Sequence, residues 1–366
     1  MEFLKITDKS VRLDNNLYEN ALLEQGKTYL LRKAHVRQLV DQQVGHPVEG
    51  ISECRRLAAD ALKYHKDPVR VLFFFDGGLG DAISLGVLFE ALRRQYHMNI
   101  DVVCRRVIWQ DILKPLGFSG KWIQPPPDKE TVTAYEYIQP RGDSLLTDKT
   151  GMMGRCIPDE LATAYKVDLR SARVGYSIPD HQRQRNVTSQ NSRPTLGLNF
   201  DSKGSIRSYP PDMQPPLVKS LLTAGFEVFL FGQTPPHLGG VSRNPAIHDF
   251  CGKTSIPKLA NLVVQMDQVI CVDSFIAHLA NILGVPTIVL LSATRRGIFA
   301  WHEHVVCLES LIECAPCGEV NGPCPRGYVE CQAFYHPSVR AETITMTAVR
   351  QTAEILQKTI AERCTA

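Results

Sequence analysis

Arg-Val-Leu-Phe-Phe-Phe-Asp-Gly-Gly-Leu-Gly-Asp-Ala-Ile-Ser-Leu-Gly-Val-Leu-Phe-Glu-Ala-Leu-Arg-Arg-Gln-Tyr-His, residues 70–97, decides the fold. Val71 to Phe75 is an apolar run without alternation, the pattern of a strand buried on both faces of a parallel sheet. Gly77, Gly78 and Gly80 then make a turn, and an amphipathic helix is expected to open at Asp81. That order sets a carboxylate at a helix N-terminus on the carboxyl edge of the sheet, where open α/β folds bind ligands. A glycine turn feeding a helix suits a phosphate-bearing ligand. The acidic side chain favours a group that handles a proton or a hydroxyl over one that only cradles phosphate. The plainer role for Asp81 is an ordinary helix cap.

Outward from this stretch the chain alternates between strands and helices. Asn99–Cys104 reads as a second strand and residues 107–116 as a short helix, with loops at Pro125–Pro127 and Pro140–Asp143. A second series has strands at Thr195–Phe200, Glu227–Phe231, Val269–Asp273 and Thr287–Leu291. Helices are expected at Pro211–Ala224, Ser255–Gln265 and Phe275–Leu283, with a closing helix near Ala341–Glu362. Asp180–Arg193, polar and almost free of apolar residues, is the best linker. Residues 1–65 differ in texture: short alternating segments at Ser10–Leu13 and Thr28–Arg32 suggest a small β element, and Ser52–Tyr64 a polar helix. The expected division is an N-terminal extension (1–65), a first Rossmann-like domain (66–185), a second (186–340) and a closing helix (341–366). The expected fold is α/β, two doubly wound domains facing each other across a cleft.

Bulk properties narrow the class. A chain of 366 residues can bury two cores of ordinary size. A net charge of +3 is too mild to argue for nucleic acid, although it suits anionic ligands. No stretch approaches the roughly 18 apolar residues of a membrane span. Eleven cysteines, an odd number, without an apolar leader point to a reducing compartment and a cytoplasmic location.

Asp273-Ser-Phe-Ile-Ala-His-Leu-Ala280 follows a buried strand. Asp273 and Ser274 fall at the carboxyl edge, and His278 comes one helical turn after Ser274. Carboxylate, hydroxyl, imidazole and helix amides together suit a sugar or nucleotide phosphate, and the plainer alternative is an N-cap with a half-buried histidine. Lys203 and Arg207 lie in the Gly/Ser loop of Asn199–Pro210, suited to gripping a diphosphate; the plainer alternative is a solvated loop. Cys314, Cys317, Cys324 and Cys331 fall within eighteen positions, opened by Cys-x-x-Cys and punctuated by Gly and Pro. That is metal-knuckle spacing, suited to structural zinc or iron in a closed four-thiolate site; unligated buried cysteines are the alternative. His302 and His304 read better as loop histidines than as ligands, and Arg105 or Arg106 could meet an anionic acceptor.

Taken together, Gly78-Leu-Gly-Asp81, Arg207-Ser-Tyr-Pro210, the Cys251-Gly-Lys-Thr segment, Asp273 to Leu279 and Leu283-Gly-Val-Pro286 resemble glycosyltransferase family 9, the heptosyltransferases, across residues 69–350. Phe275 stands where that family has Gly after Asp-Ser, and Arg-Ser-Tyr-Pro replaces its Lys-x-Trp-Pro. The resemblance implies a GT-B fold, an ADP-heptose-like nucleotide-sugar donor in the C-terminal domain, and an acceptor in the N-terminal domain, a glycan or protein hydroxyl. It also implies inversion at the anomeric carbon, with no divalent metal and no cofactor in the transfer step. By carry-over Asp81 is the general base on the loop of Gly78 and Gly80. Lys203, Arg207, Asp273, Ser274 and His278 would then contact the donor. Protein-modifying autotransporter heptosyltransferases carry a cysteine cluster with bound iron, which the four-cysteine segment resembles. A homo-oligomer built through the N-terminal extension is a further expectation. Two rival readings are a nucleotide-sugar epimerase of the same fold, which needs no acceptor, and a non-catalytic transferase-like scaffold.

Overall fold

The structure, a computed structural model, describes residues 2–7, 10–13, 21–31, 33–48, 55–56, 68–74, 77–104, 110–139, 166–168, 175–178, 193–299, 304–310, 312–318 and 323–365. They fall into two compact units. The first is drawn from Met1–Gly78, Leu85–Thr147 and Pro158–Arg173, the second from Leu79–Ser84, Asp148–Ile157 and Val174–Ala366. The sequence-expected linker Asp180–Arg193, the loop at Pro140–Asp143, and Arg105, Arg106 and His302 lie wholly or mostly outside the described residues.

In the first unit, β1 (Glu2–Ile6) runs antiparallel between β4 (Thr28–Leu31) and β5 (Gly45–Val48). Strand β2 (Val11–Leu13) pairs antiparallel with β3 (Ala21–Leu23), and α1 (Lys33–Asp41) lies in the chain between β4 and β5. Alternation gives this element a core: Leu4 and Ile6 are buried with Leu23, Leu31 and Leu39 while Lys5 is exposed. The five-stranded sheet of this unit is parallel, in the order β6 (Arg55–Arg56), β10 (Tyr137–Gln139), β7 (Val69–Phe74), β8 (Met98–Val103), β9 (Trp122–Ile123). Leu30 of β4 shares a core with Leu72, Phe74, Val103 and Val132, and its amide donates to Pro127 O at 3.0 Å. The N-terminal β element is thus seated on the main sheet. The polar helix expected at Ser52–Tyr64 is corrected where the structure describes it, since Arg55 and Arg56 pair as a strand with Tyr137 and Ile138.

Strand β7 leads into α2 (Leu79–Tyr96), which starts two residues before the expected Asp81, so Asp81 lies within its first turn. Ala82, Ile83, Leu85, Leu88, Phe89 and Leu92 are all buried, and the Phe89 ring meets Phe73 of β7 edge-on at 5.0 Å. The buried Ser84 hydroxyl donates back to Gly80 O at 3.3 Å, so it leaves no unsatisfied polar group. Among the described residues the unit also has two short helices, α3 (Gln110–Leu113) and α4 (Lys129–Thr133); Asp128 caps α4 by accepting from the Thr131 amide at 2.8 Å.

The second unit holds six parallel strands: β11 (Thr195–Asn199), β12 (Glu227–Leu230), β13 (Ile247–Asp249), β14 (Gln268–Val272), β15 (Thr287–Leu291) and β16 (Val305–Glu309). Their order, β13-β12-β11-β14-β15-β16, is the doubly wound one, so the order in which strands are added across the sheet reverses between β11 and β14 while all stay parallel. Every residue of β11, β14 and β15 is buried, which is why their runs are apolar without alternation. Among its described residues this unit has the α-helices α5 (Gln214–Thr223), α6 (Ile256–Val263), α7 (Phe275–Ile282) and α8 (Ala341–Thr365). Ile344 and Ala348 of α8 enter the core with Leu217 and Leu221 of α5, and the Thr345 hydroxyl donates to Ser220 Oγ at 2.9 Å.

Candidate functional site

The reversal of strand order opens the sheet edge between β11 and β14, and both strands end there on polar side chains. Asn199, the last residue of β11, is buried. Its Oδ1 accepts from Ser274 Oγ at 2.8 Å, and its amide nitrogen donates to Asp201 Oδ1 at 2.5 Å and Phe231 O at 3.2 Å. Asp201 in turn accepts the amides of Gln233 and Thr234 on Oδ2, at 2.8 and 3.2 Å. Gly232, at φ +144°, is obligatory in this arrangement, because a Cβ would lie 2.4 Å from Asp201 Oδ1. Ser274 stands at the N-cap of α7 but does not cap it; its hydroxyl is committed to Asn199.

The structure brings two of the predicted residues into direct contact. Arg207 ends a single helical turn, Ser205–Arg207, and its Nη1 donates to Asp273 O at 3.1 Å and to Asp273 Oδ2 at 3.2 Å. Both side chains are largely out of water, 14% and 7% exposed, so each charge depends on the other. A second donor reaches the same carboxylate oxygen: Thr294 Oγ1 at 2.8 Å, from the segment after β15. Ser202 Oγ holds the backbone by donating to Asp273 O at 2.9 Å. Sequence reasoning missed Thr294, Ser202 and Asn199 as parts of the site. The available signal was their position, since each follows or ends a buried parallel strand at its carboxyl edge.

His278, one turn into α7, is half-buried, and its ring stacks on Phe299 with centroids 5.0 Å apart. Burial pushes its pKa down to about 4; the Asp273 carboxylate raises it and Arg207 lowers it. The imidazole is therefore neutral at pH 7. An unfolded chain protonates near 6.5 while the native one resists until about 4, so His278 costs stability as pH falls through that window and costs nothing above it. Urea unfolding is expected to show roughly 1 kcal/mol less stability at pH 5 than at pH 7 from this residue, after allowance for its residual exposure. His278→Gln is expected to flatten that step; a variant with the wild-type slope from pH 7 to 5 would refute the assignment.

The glycine turn meets this histidine directly. Leu79–Ser84 groups with the second unit, and a Cβ at Gly80 would lie 2.6 Å from His278 Cδ2. No side chain fits at position 80 while the imidazole stays where it is. Asp81, the next residue, is half-buried in the same helical turn. Gly78 is exposed at the turn, and Lys203 is exposed on the loop that carries Arg207.

The four cysteines lie on one segment against the second unit's core. Cys331 is buried in it, and Cys317 and Cys324 pack on it partly buried. Burial raises the Cys331 thiol above its ordinary value; the Ala333 amide opposes this, and Cys317, Cys314 and Cys324 add to the rise. Four soft sulfur donors suit zinc or iron chemically. Their placement does not: among the described residues no group of three or more His, Cys, Asp or Glu side chains is arranged to hold a metal. The knuckle expected from the spacing is thus not seen as a metal centre, and no chemical step is assigned to it. His304 is exposed immediately before β16.

Comparison with known proteins bears on the whole arrangement. Residues 160–325 match the family model of glycosyltransferase family 9 (heptosyltransferase). The match starts beyond Gly78-Leu-Gly-Asp81, so it is shorter than the span over which the motifs resemble that family. No curated protein sequence matches the chain. Among solved structures, ADP-heptose LPS heptosyltransferase II of E. coli aligns at 14% identity and a TM-score of 0.56, over 78% of this chain and 99% of its own. The family 9 glycosyl transferase of Veillonella parvula DSM 2008 aligns at 14% identity and 0.59, over 79% and 99%. TibC of enterotoxigenic E. coli H10407, described as an iron-containing dodecameric glycosyltransferase, aligns at 14% identity and 0.58 over 98% of this chain and 95% of its own. At these identities the likeness is one of fold, and the α/β fold with parallel sheets is of the GT-B type.

Proposed function

We propose, from the premise that this chain is of the glycosyltransferase family 9 (heptosyltransferase) kind, that it transfers a heptose-like sugar from a nucleotide-diphosphate donor to an acceptor hydroxyl with inversion. The observation that carries the reading is the Arg207–Asp273–Thr294 cluster at the strand-order reversal of a doubly wound sheet. That edge is where such sheets receive nucleotides.

In this reading the donor's diphosphate meets the Arg207 guanidinium, with Lys203 free to swing in from the exposed loop. Charge on the departing diphosphate grows as the glycosidic bond breaks, and a fixed guanidinium stabilises it most at that moment. Asp273 keeps Arg207 oriented, and its Oδ1, which takes neither of the two side-chain bonds, offers an acceptor to a sugar hydroxyl. Ser274 and His278 line the same edge, His278 as a neutral ring. Asp81 takes the acceptor hydroxyl's proton as the oxygen attacks the anomeric carbon. An inverting displacement needs one such base, and Asp81 is a half-buried carboxylate in the first turn of α2.

TibC has been solved with ADP-D-β-D-heptose, which makes an ADP-heptose-like compound the first donor to try. The acceptor is a glycan or protein hydroxyl. The dodecameric state of TibC supports a homo-oligomer, and the N-terminal β element is the part of this chain proposed to build it. No described helix is long and apolar enough to cross a membrane, and the proposed site of action is the cytoplasm. A structural metal at Cys314, Cys317, Cys324 and Cys331, iron or zinc after the iron of TibC, would require these sulfurs to draw closer together than they stand.

Calorimetric titration with ADP and a panel of nucleotide sugars tests the reading. ADP is expected to bind, and ADP-heptose to be consumed only when lipopolysaccharide core or a protein acceptor is present. Consumption of donor alone would point to an epimerase, and no binding across the panel to a scaffold. Elemental analysis of the same sample, against Cys314→Ser, reads out the metal.

A further inference from the structure

Three consecutive buried residues after β15 each commit a polar group to a different part of the second unit. Ser292 Oγ donates to Ile206 O at 2.9 Å, beside Arg207. Ala293 O accepts the amide of Gly318 at 2.8 Å, immediately after Cys317. Thr294 Oγ1 donates to Asp273 Oδ2 at 2.8 Å. All three residues are at most 4% exposed, so none of these bonds has water as a substitute. Gly318 adopts φ +74°, a conformation that aims its amide at Ala293 at little cost to glycine.

We infer that Thr294 is a positioning residue for the Asp273–Arg207 pair, and that Ser292–Thr294 is the joint through which the four-cysteine segment holds that pair in place. With the Thr294 hydroxyl present, Asp273 Oδ2 has two donors from two directions, which fixes the plane of the carboxylate. Without it, a buried carboxylate oxygen keeps only the Arg207 bond at 3.2 Å, and Asp273 can turn to gain a better one. Arg207 then shifts with it, because the same Nη1 also serves Asp273 O. The guanidinium presented to an anion is thereby set by a threonine that touches no ligand itself. The chain of contacts continues to Cys317 through Gly318, so a disturbance of the cysteine segment arrives at Asp273 by way of Ala293.

The proposal rests on the nucleotide-diphosphate reading for its consequence, and on geometry alone for its mechanics, so two measurements are needed. Thr294→Val keeps the shape and removes the hydroxyl; Thr294→Ser keeps the hydroxyl. In calorimetry with ADP on the full chain, Thr294→Val is expected to bind at least 10-fold more weakly, and Thr294→Ser within about threefold of wild type. In hydrogen-exchange mass spectrometry, peptides covering 202–209, 271–275 and 314–318 are expected to exchange faster in Thr294→Val than in wild type or Thr294→Ser. First-unit peptides are expected to be unchanged. Wild-type exchange of those three segments in Thr294→Val overturns the proposal, as does a Thr294→Ser variant that behaves like Thr294→Val. If wild type binds no ADP, the functional reading falls and the exchange comparison still decides the joint. If Thr294→Val does not fold, Thr294→Ala against Thr294→Ser makes the same comparison.

Discussion

Asp81→Asn is expected to reduce sugar transfer by roughly 10²- to 10⁴-fold while leaving ADP affinity and folding close to wild type. The substitution is nearly isosteric and removes only the basic oxygen. Asp81 lies in the first turn of α2, where a negative charge on the helix N-terminus contributes about 0.3–1 kcal/mol, so little stability is at stake. A group that merely started the helix would therefore show a small drop in stability and an intact rate. A base would show the reverse, a collapsed kcat with unchanged nucleotide affinity. Transfer measured at saturating donor, together with a urea melt, separates the two; an Asp81→Asn enzyme at full rate ends the assignment.

Arg207→Ala has the other large expected effect, and it combines two losses. The variant strips a buried carboxylate of its cation, and breaking a buried pair from one side costs about 3 kcal/mol or more. Asp273 keeps only Thr294 and water for company, in a site where it is 7% exposed. Nucleotide affinity is expected to fall by at least 100-fold, since a cation aimed at the diphosphate is lost as well. Arg207→Lys is expected to recover much of the stability and little of the affinity, because an ammonium supplies charge without the guanidinium's fork. Thermal melts and ADP titrations of the two variants check this. Equal ADP affinity in wild type and Arg207→Ala would remove Arg207 from the donor site.

The central strands were legible for a simple reason: β11, β14 and β15 are buried on both faces, and the chemistry of burial writes itself as an apolar run. Thr287–Leu291 was read with the bounds the structure has. The edge strands were not legible. Ile247–Asp249 is only partly buried and carries His248 and Asp249, which break the pattern of an inner strand, while Val305–Glu309 is a short partly buried apolar run whose edge position sequence alone does not mark. Arg207, Asp273, Ser274 and His278, proposed for the site, lie inside stretches that sequence makes recognisable. Ser202 and Thr294 were missed because a lone hydroxyl in a loop carries no periodicity; only the fold brings it to a carboxylate. The cysteine spacing illustrates the converse, since a regular pattern in sequence did not become a metal-holding group among the described residues.

The 2.6 Å between the space above Gly80 and the imidazole of His278 has an evolutionary consequence. Two motifs far apart in the chain occupy one volume, so neither can drift alone. Any lineage that gains a side chain at position 80 must first shrink position 278, and one that enlarges position 278 must keep the glycine. Viable paths between related sequences therefore pass through glycine paired with a small residue, never through two bulky ones. In a deep alignment of relatives the two columns should covary by volume and not by charge.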